Sequence, residues 1–85
     1  MILYSVEDNE NYEFDWDTVK AAIYDEGWPP NGLHIANDGS ADITLTINGL
    51  TLTIKPAETL TDRFKPFEAF TLAATDSYRL LITRG

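Results

Sequence analysis

The sequence predicts a mainly β chain: a small antiparallel β-sandwich or barrel with one short N-terminal helix. Three observations predict it. Residues 43–54 read Ile-Thr-Leu-Thr-Ile-Asn-Gly-Leu-Thr-Leu-Thr-Ile, an alternation of apolar residues and threonine broken only at Asn48-Gly49. The remainder of residues 33–85 consists of short runs separated by turn residues, the spacing expected of an antiparallel sandwich or barrel. Before Gly27, Trp16, Val19 and Ile23 recur at roughly helical spacing. The 85 residues read as one domain, with an acidic, aromatic-rich segment over 1–32 and an antiparallel β module over 33–85.

Taken in order, Ile2–Val6 is short and apolar and reads as a strand, Glu7–Asn11 as a charged loop, and Tyr12–Phe14 as a short extended piece. Asp15 or Asp17 then supplies a helix cap, because a carboxylate there accepts from the free N–H groups of the first turn. The helix is expected over Asp17–Glu26, stopped by Gly27 in a left-handed conformation and followed by the break Pro29-Pro30-Asn31-Gly32. Strands are expected at Leu33–Ala36, Thr59–Phe64, Ala69–Ala74 and Tyr78–Arg84. The turns between segments are Asn37-Asp-Gly-Ser40, Lys55-Pro-Ala-Glu58, Lys65-Pro-Phe-Glu68 and Thr75-Asp-Ser77. Pro56 suits the first corner of its turn.

The Asn-Gly pair specifies a type I′ turn, whose two central residues both need positive φ. A two-residue turn at Asn48-Gly49 sets Ile47 opposite Leu50, Thr46 opposite Thr51, Leu45 opposite Leu52, Thr44 opposite Thr53 and Ile43 opposite Ile54. One step further, Asp42 meets Lys55. Every pair matches in kind, as a specified register requires. One face is then Ile43, Leu45, Ile47, Leu50, Leu52 and Ile54, and burying such a side chain is worth roughly 1.5–3 kcal/mol. The other face is Thr44, Thr46, Thr51 and Thr53. Spaced Thr-x-Thr rows resemble the ice-binding faces of some antifreeze proteins, but two rows on two strands make a small array. A solvent-facing or subunit-facing sheet surface accounts for them. A flat apolar ribbon also invites aggregation through bare edges, so both edges are expected to be paired or covered.

Composition narrows the function. The net charge is −8, and residues 1–38 carry it: nine acids against one Lys, while residues 39–85 hold five acids and five bases. That balance opposes general binding to a nucleic-acid backbone, which needs Lys and Arg to displace counterions. It permits a basic protein partner, or simply a solvated acidic surface. No cysteine is present, so neither disulfides nor thiolate metal sites staple the fold. No apolar run approaches the roughly 18–20 residues of a membrane-spanning helix. MILYSVEDNE lacks the basic start and long apolar centre of a signal peptide.

Chemistry is sparse. The one histidine, His34, lies between Leu33 and Ile35 on an expected strand, and Ser5, Ser40 and Ser77 lack the Gly-x-Ser-x-Gly setting of a nucleophile elbow. Glu7, Asp8, Glu10, Glu13, Asp15 and Asp17 are dense enough to attract calcium, but the ordered spacing and central glycine of a calcium loop are missing. No glycine-rich phosphate loop occurs. The reading is therefore no catalytic residues, no cofactor and no metal. The aromatic residues offer more: Tyr12, Tyr24 and Trp28 are candidate contacts for a protein partner or a host glycan, since exposed Trp and Tyr anchor both. Trp16 and Phe14 read as packing between helix and sheet, and for Trp28 the two readings stand side by side. Phe64, Phe67 and Phe70 are expected to fill the sandwich, with Phe67 plugging one end.

From about Leu33 onward the chain resembles small virion-associated β modules of tailed phages and prophages. The features that carry this are Asn37-Asp-Gly-Ser40, Ile43–Ile54, Lys55-Pro-Ala-Glu-Thr59, Phe64-Lys-Pro-Phe67, Thr71–Ala74 and Tyr78–Ile82. The resemblance implies a non-enzymatic head, neck or tail component. Such a component acts through contacts with other virion proteins, with a possible homo-oligomer or host glycan, in the virion or in the host cytoplasm during assembly. The alternatives from other classes are an acidic inhibitor that occupies the basic groove of a host nucleic-acid-binding enzyme, and a glycan-binding module built on Trp28.

Overall fold

The computed structural model describes residues 1–6, 14–24 and 27–85. The structure is mainly β, with seven strands and one helix among the described residues: β1 (Ile2–Val6), α1 (Trp16–Ile23), β2 (Gly32–Asn37), β3 (Ile43–Ile47), β4 (Leu50–Ile54), β5 (Thr59–Arg63), β6 (Phe70–Ala73) and β7 (Tyr78–Thr83). The strands form two antiparallel sheets, one ordered β1-β7-β2-β5 and the other β4-β3-β6. They pack as a small β-sandwich, so of the two expected architectures the sandwich holds.

The hairpin has the register expected from its turn, with Ile47 opposite Leu50 through to Ile43 opposite Ile54. Asn48 has φ 50° and Gly49 φ 79°, the left-handed pair that an Asn-Gly turn supplies. Nothing lies within 4 Å of where a Gly49 side chain would begin, so only backbone conformation restricts this position. Gly49→Val is therefore expected to cost about 2 kcal/mol and to promote aggregation. Gly49→Asn should recover most of the loss. A thermal melt of the two variants checks this, and a wild-type midpoint for the valine variant would refute it.

Alternation decides what is buried. The core takes Leu33 and Ile35 from β2, Leu80 and Ile82 from β7, Ile43, Leu45 and Ile47 from β3, and Phe70 and Leu72 from β6. Val19 and Ile23 of α1 join the same cluster. The aliphatic face of the hairpin is not wholly buried, contrary to expectation. Ile54 is buried, Leu52 is half-buried and Leu50 remains 54% exposed. The reason is strand order: β3 is central, while β4 is the edge of its sheet. The threonine face is broader than the hairpin alone suggests, because β6 pairs with β3 and sets Thr71 beside Thr46.

Helix α1 starts at Asp15, whose Oδ1 accepts from the Asp17 N–H at 3.1 Å and whose Oδ2 accepts from the Thr18 hydroxyl at 2.8 Å. It ends at Ile23, where its buried stripe ends, and not at Glu26. Tyr24 leaves the helix with ψ 135°. Gly27 is not left-handed. It is small because a side chain there would begin 2.6 Å from Leu3 Cδ2. Asp25 and Glu26 lie outside the described residues, as do Tyr12 and Glu13 of the expected extended piece before α1.

The turns after β2 and β6 are cross-linked. Asp76 Oδ2 accepts from both the N–H and the hydroxyl of Ser40, at 2.9 Å each, and Oδ1 accepts from the Ser77 N–H at 2.8 Å. Beside them Arg79 donates twice to Asp38, at 2.7 and 3.1 Å. This is the one ion pair among the described residues, so the expected Asp42–Lys55 meeting does not become one. The Ser40 N–H, followed by the Ser77 N–H, holds the Asp76 carboxyl below its ordinary pKa. A depressed folded-state pKa stabilises the fold above the unfolded pKa, and that contribution is lost as pH falls through the folded value. Asp76→Ala should thus lower the melting temperature at neutral pH and shrink its fall on acidification, as melts across the acid range will show.

Candidate functional site

Four aromatic residues of segment 1–32, Phe14, Trp16, Tyr24 and Trp28, form one chain of ring contacts on the sandwich. Trp16, at the start of α1, packs on Phe70 with ring centroids 5.0 Å apart, and Phe14 stacks on the same ring at 4.8 Å. Both serve to seat the helix on β6, the packing role expected for them. Trp16 also meets Trp28 at 6.1 Å, and Trp28 meets Tyr24 at 6.0 Å. A run of rings therefore leads outward from the buried Phe70, through Trp16 and the half-buried Trp28, to Tyr24, which is 55% exposed.

Local sequence explains this placement. Asp17, Lys20, Ala21 and Tyr24 sit three or four residues apart, the spacing of one helix face, opposite the buried Val19 and Ile23. They line an open hollow of about 440 Å³. Trp28, just before the Pro29-Pro30 break, packs its ring against Tyr24. The Lys20 ammonium sits 5.5 Å from the Trp28 ring centre, a favourable cation–π position. Gly27 brings the Leu3 and Met1 side chains close to this turn. Met1 and Ile2 are 68% and 63% exposed. The exposed Met1 thus lies near the Gly27-Trp28 turn, beside a stripe of α1 on which Tyr24 and Ala21 alternate with the charged Asp17 and Lys20.

Of the three candidate contact residues, the structure brings together Tyr24 and Trp28. Tyr12 lies outside the described residues. Trp28 is the support and Tyr24 the presented ring: Trp28 is flanked by Trp16, Tyr24 and Lys20, and its plane is inclined 50° to Tyr24. Met1 and Ile2 were not singled out from sequence, since an apolar strand start reads as core. Their exposure arises because β1 is an edge strand with a register shift between Ile2 and Tyr4.

Elsewhere several polar groups are engaged in structure. His34 Nδ1 lies 2.7 Å from Thr61 Oγ1, on the outer face of its sheet. Among the described residues, no group of three or more His, Cys, Asp or Glu is placed to hold a metal. Of the nine acids in residues 1–38, Asp15 caps α1, Asp17 occupies its first turn and Asp38 pairs with Arg79. The other six lie outside the described residues. No helix among the described residues is long and apolar enough to cross a membrane.

Fold and face together define a small antiparallel β-sandwich with a cluster of aromatic rings at its short helix. No protein-family model, curated protein or solved structure gave a significant match to the chain.

Proposed function

We propose that this chain is a non-enzymatic structural, assembly or decoration module of a tailed-phage particle, acting through protein–protein contacts on the Tyr24–Trp28 face. The observation that carries the contact role is Tyr24: a large ring more than half exposed, yet packed 6.0 Å from the ring of the half-buried Trp28. Rigid aromatic anchors of this kind dominate binding energy at interfaces, because little side-chain freedom remains to be lost. The phage assignment rests on the resemblance of residues 33–85 described above.

Two measurements test this. Purified particles are inventoried by mass spectrometry for the chain, and tagged protein is used to capture virion components. Tyr24→Ala is expected to abolish capture while moving stability by no more than about 0.5 kcal/mol, as for an exposed site. Absence from particles, together with no capture of any virion component, would sink the proposal. Glycan-array binding that depends on Tyr24 would reassign the same face to a sugar.

A further inference from the structure

We infer that β4 is a self-pairing edge, through which two copies of this chain join antiparallel into one continuous sheet. The inference stands on the strand itself and holds whatever the Tyr24–Trp28 face binds.

Each sheet ends in two edges, and natural sandwiches guard their edges with charges, bulges, short strands or covering elements. Three of the four are guarded here. Strand β1 is interrupted by a register shift and packed by α1. Strand β5 carries Asp62 and Arg63. Strand β6 has four residues, and Phe14 and Trp16 lie on its Phe70. Strand β4, Leu-Thr-Leu-Thr-Ile, has five residues with no charge, proline or bulge. No strand pairs with its outer side among the described residues.

The geometry selects a second copy as the occupant. In a hairpin closed by a two-residue turn, the residues flanking the turn exchange hydrogen bonds and the pattern alternates from there. Leu50, Leu52 and Ile54 therefore direct their N–H and C=O groups to β3, while Thr51 and Thr53 direct theirs outward. Lys55 closes the edge on itself: its N–H donates to Glu58 Oε1 at 2.9 Å and its carbonyl accepts from the Glu58 N–H at 3.0 Å. What stays open is the pair Thr51 and Thr53, spaced symmetrically about Leu52.

A two-fold axis through Leu52 satisfies that pair. Thr51 of one copy exchanges hydrogen bonds with Thr53 of the other, and Leu52 meets its own counterpart. Leu50, exposed in the single chain, meets Ile54, so the strand matches itself in kind at every position. Such an interface is isologous and closes at two copies. Charge agrees with it: Lys55 falls opposite Gly49 of the other copy, and the excess acid lies in residues 1–38, not in the β module. Repulsion between those acidic segments opposes association, so added salt should tighten the dimer.

Sedimentation velocity of the full chain from micromolar to millimolar concentration, at low and high salt, tests the inference. A concentration-dependent dimer strengthened by salt is expected. Leu50→Lys sets a charged side chain against the apolar Ile54 of the other copy at an already exposed position, and Thr51→Pro removes an outward N–H. Both are expected to yield monomers, with melts reporting whether each variant folds. Hydrogen exchange at Thr51 and Thr53 should slow as wild-type concentration rises. A wild-type chain that stays monomeric at millimolar concentration overturns the inference. So does a dimer that survives both substitutions or leaves those two amides unprotected.

Discussion

Phe67→Ala is expected to destabilise the protein by about 3–5 kcal/mol, a large fraction of the stability of a domain whose whole margin is about 5–15 kcal/mol. Phe67 is 1% exposed although it lies between strands, on the corner that carries the chain from β5 to β6. Two backbone hydrogen bonds hold that corner: Phe64 N–H to the Asn31 carbonyl at 2.8 Å and Phe67 N–H to the Pro30 carbonyl at 3.0 Å. The ring is edge-on to Phe70 at 5.5 Å and to Phe64 at 6.5 Å, and meets Trp16 at 6.4 Å. It thus closes the end of the sandwich and supports the helix that bears Tyr24. Removing it leaves a cavity bounded by rings that are themselves held by neighbours, so collapse is limited. The readout is a denaturant midpoint shifted with unchanged slope. The half-buried Phe64 should cost less when truncated. A loss below about 1 kcal/mol for Phe67→Ala would show that the end of the sandwich repacks freely.

Most of this architecture is legible in the sequence because the signals are local. A two-residue Asn-Gly turn fixes a register without reference to the rest of the chain, and the observed pairs follow it. Strands β5, β6 and β7 begin or end within a residue of where their turns place them. Phe67 at a Lys-Pro corner reads as a plug and is one.

What is not legible depends on pairings distant in sequence. Leu50 and Ile47 are equivalent by alternation, yet one is exposed and the other buried, because β6 docks on β3 and not on β4. Gly27 carries the composition of a helix stop, but its requirement is space beside Leu3, a residue more than twenty positions away. The candidate contact residues divide in the same manner. Tyr24 and Trp28 are visible as aromatic residues beside a proline break. That Trp28 supports and Tyr24 presents depends on Trp16 and Lys20, which only the fold brings to them.

The residue least readable from sequence has the second-largest expected effect. Asn37 begins a run of turn residues and reads as one of them. In the fold it is the last residue of β2, 2% exposed, and every polar group it has is engaged. Its side-chain amide donates to the Ala41 carbonyl and to the buried Ile54 carbonyl, at 2.8 Å each, and its Oδ1 accepts from the Gly39 N–H at 3.0 Å. Its backbone N–H donates to Glu58, and its carbonyl accepts from Ala57. One side chain thereby ties the end of β2 to the turn before β3 and to the end of β4, where the chain crosses between sheets. Asn37→Ala leaves the Ala41 carbonyl and the Gly39 N–H without this partner and removes one of the donors to the buried Ile54 carbonyl. With about 1–3 kcal/mol for each buried group left unpaired, the expected cost is about 3 kcal/mol. Asn37→Asp should cost at least as much at neutral pH, because a carboxylate would face two carbonyl oxygens. Acidification should partly rescue that variant by restoring a donor. Denaturation midpoints of the three proteins at neutral and acidic pH decide it: an Asp variant as stable as wild type at neutral pH would mean that water, not Asn37, joins the two sheets at this corner.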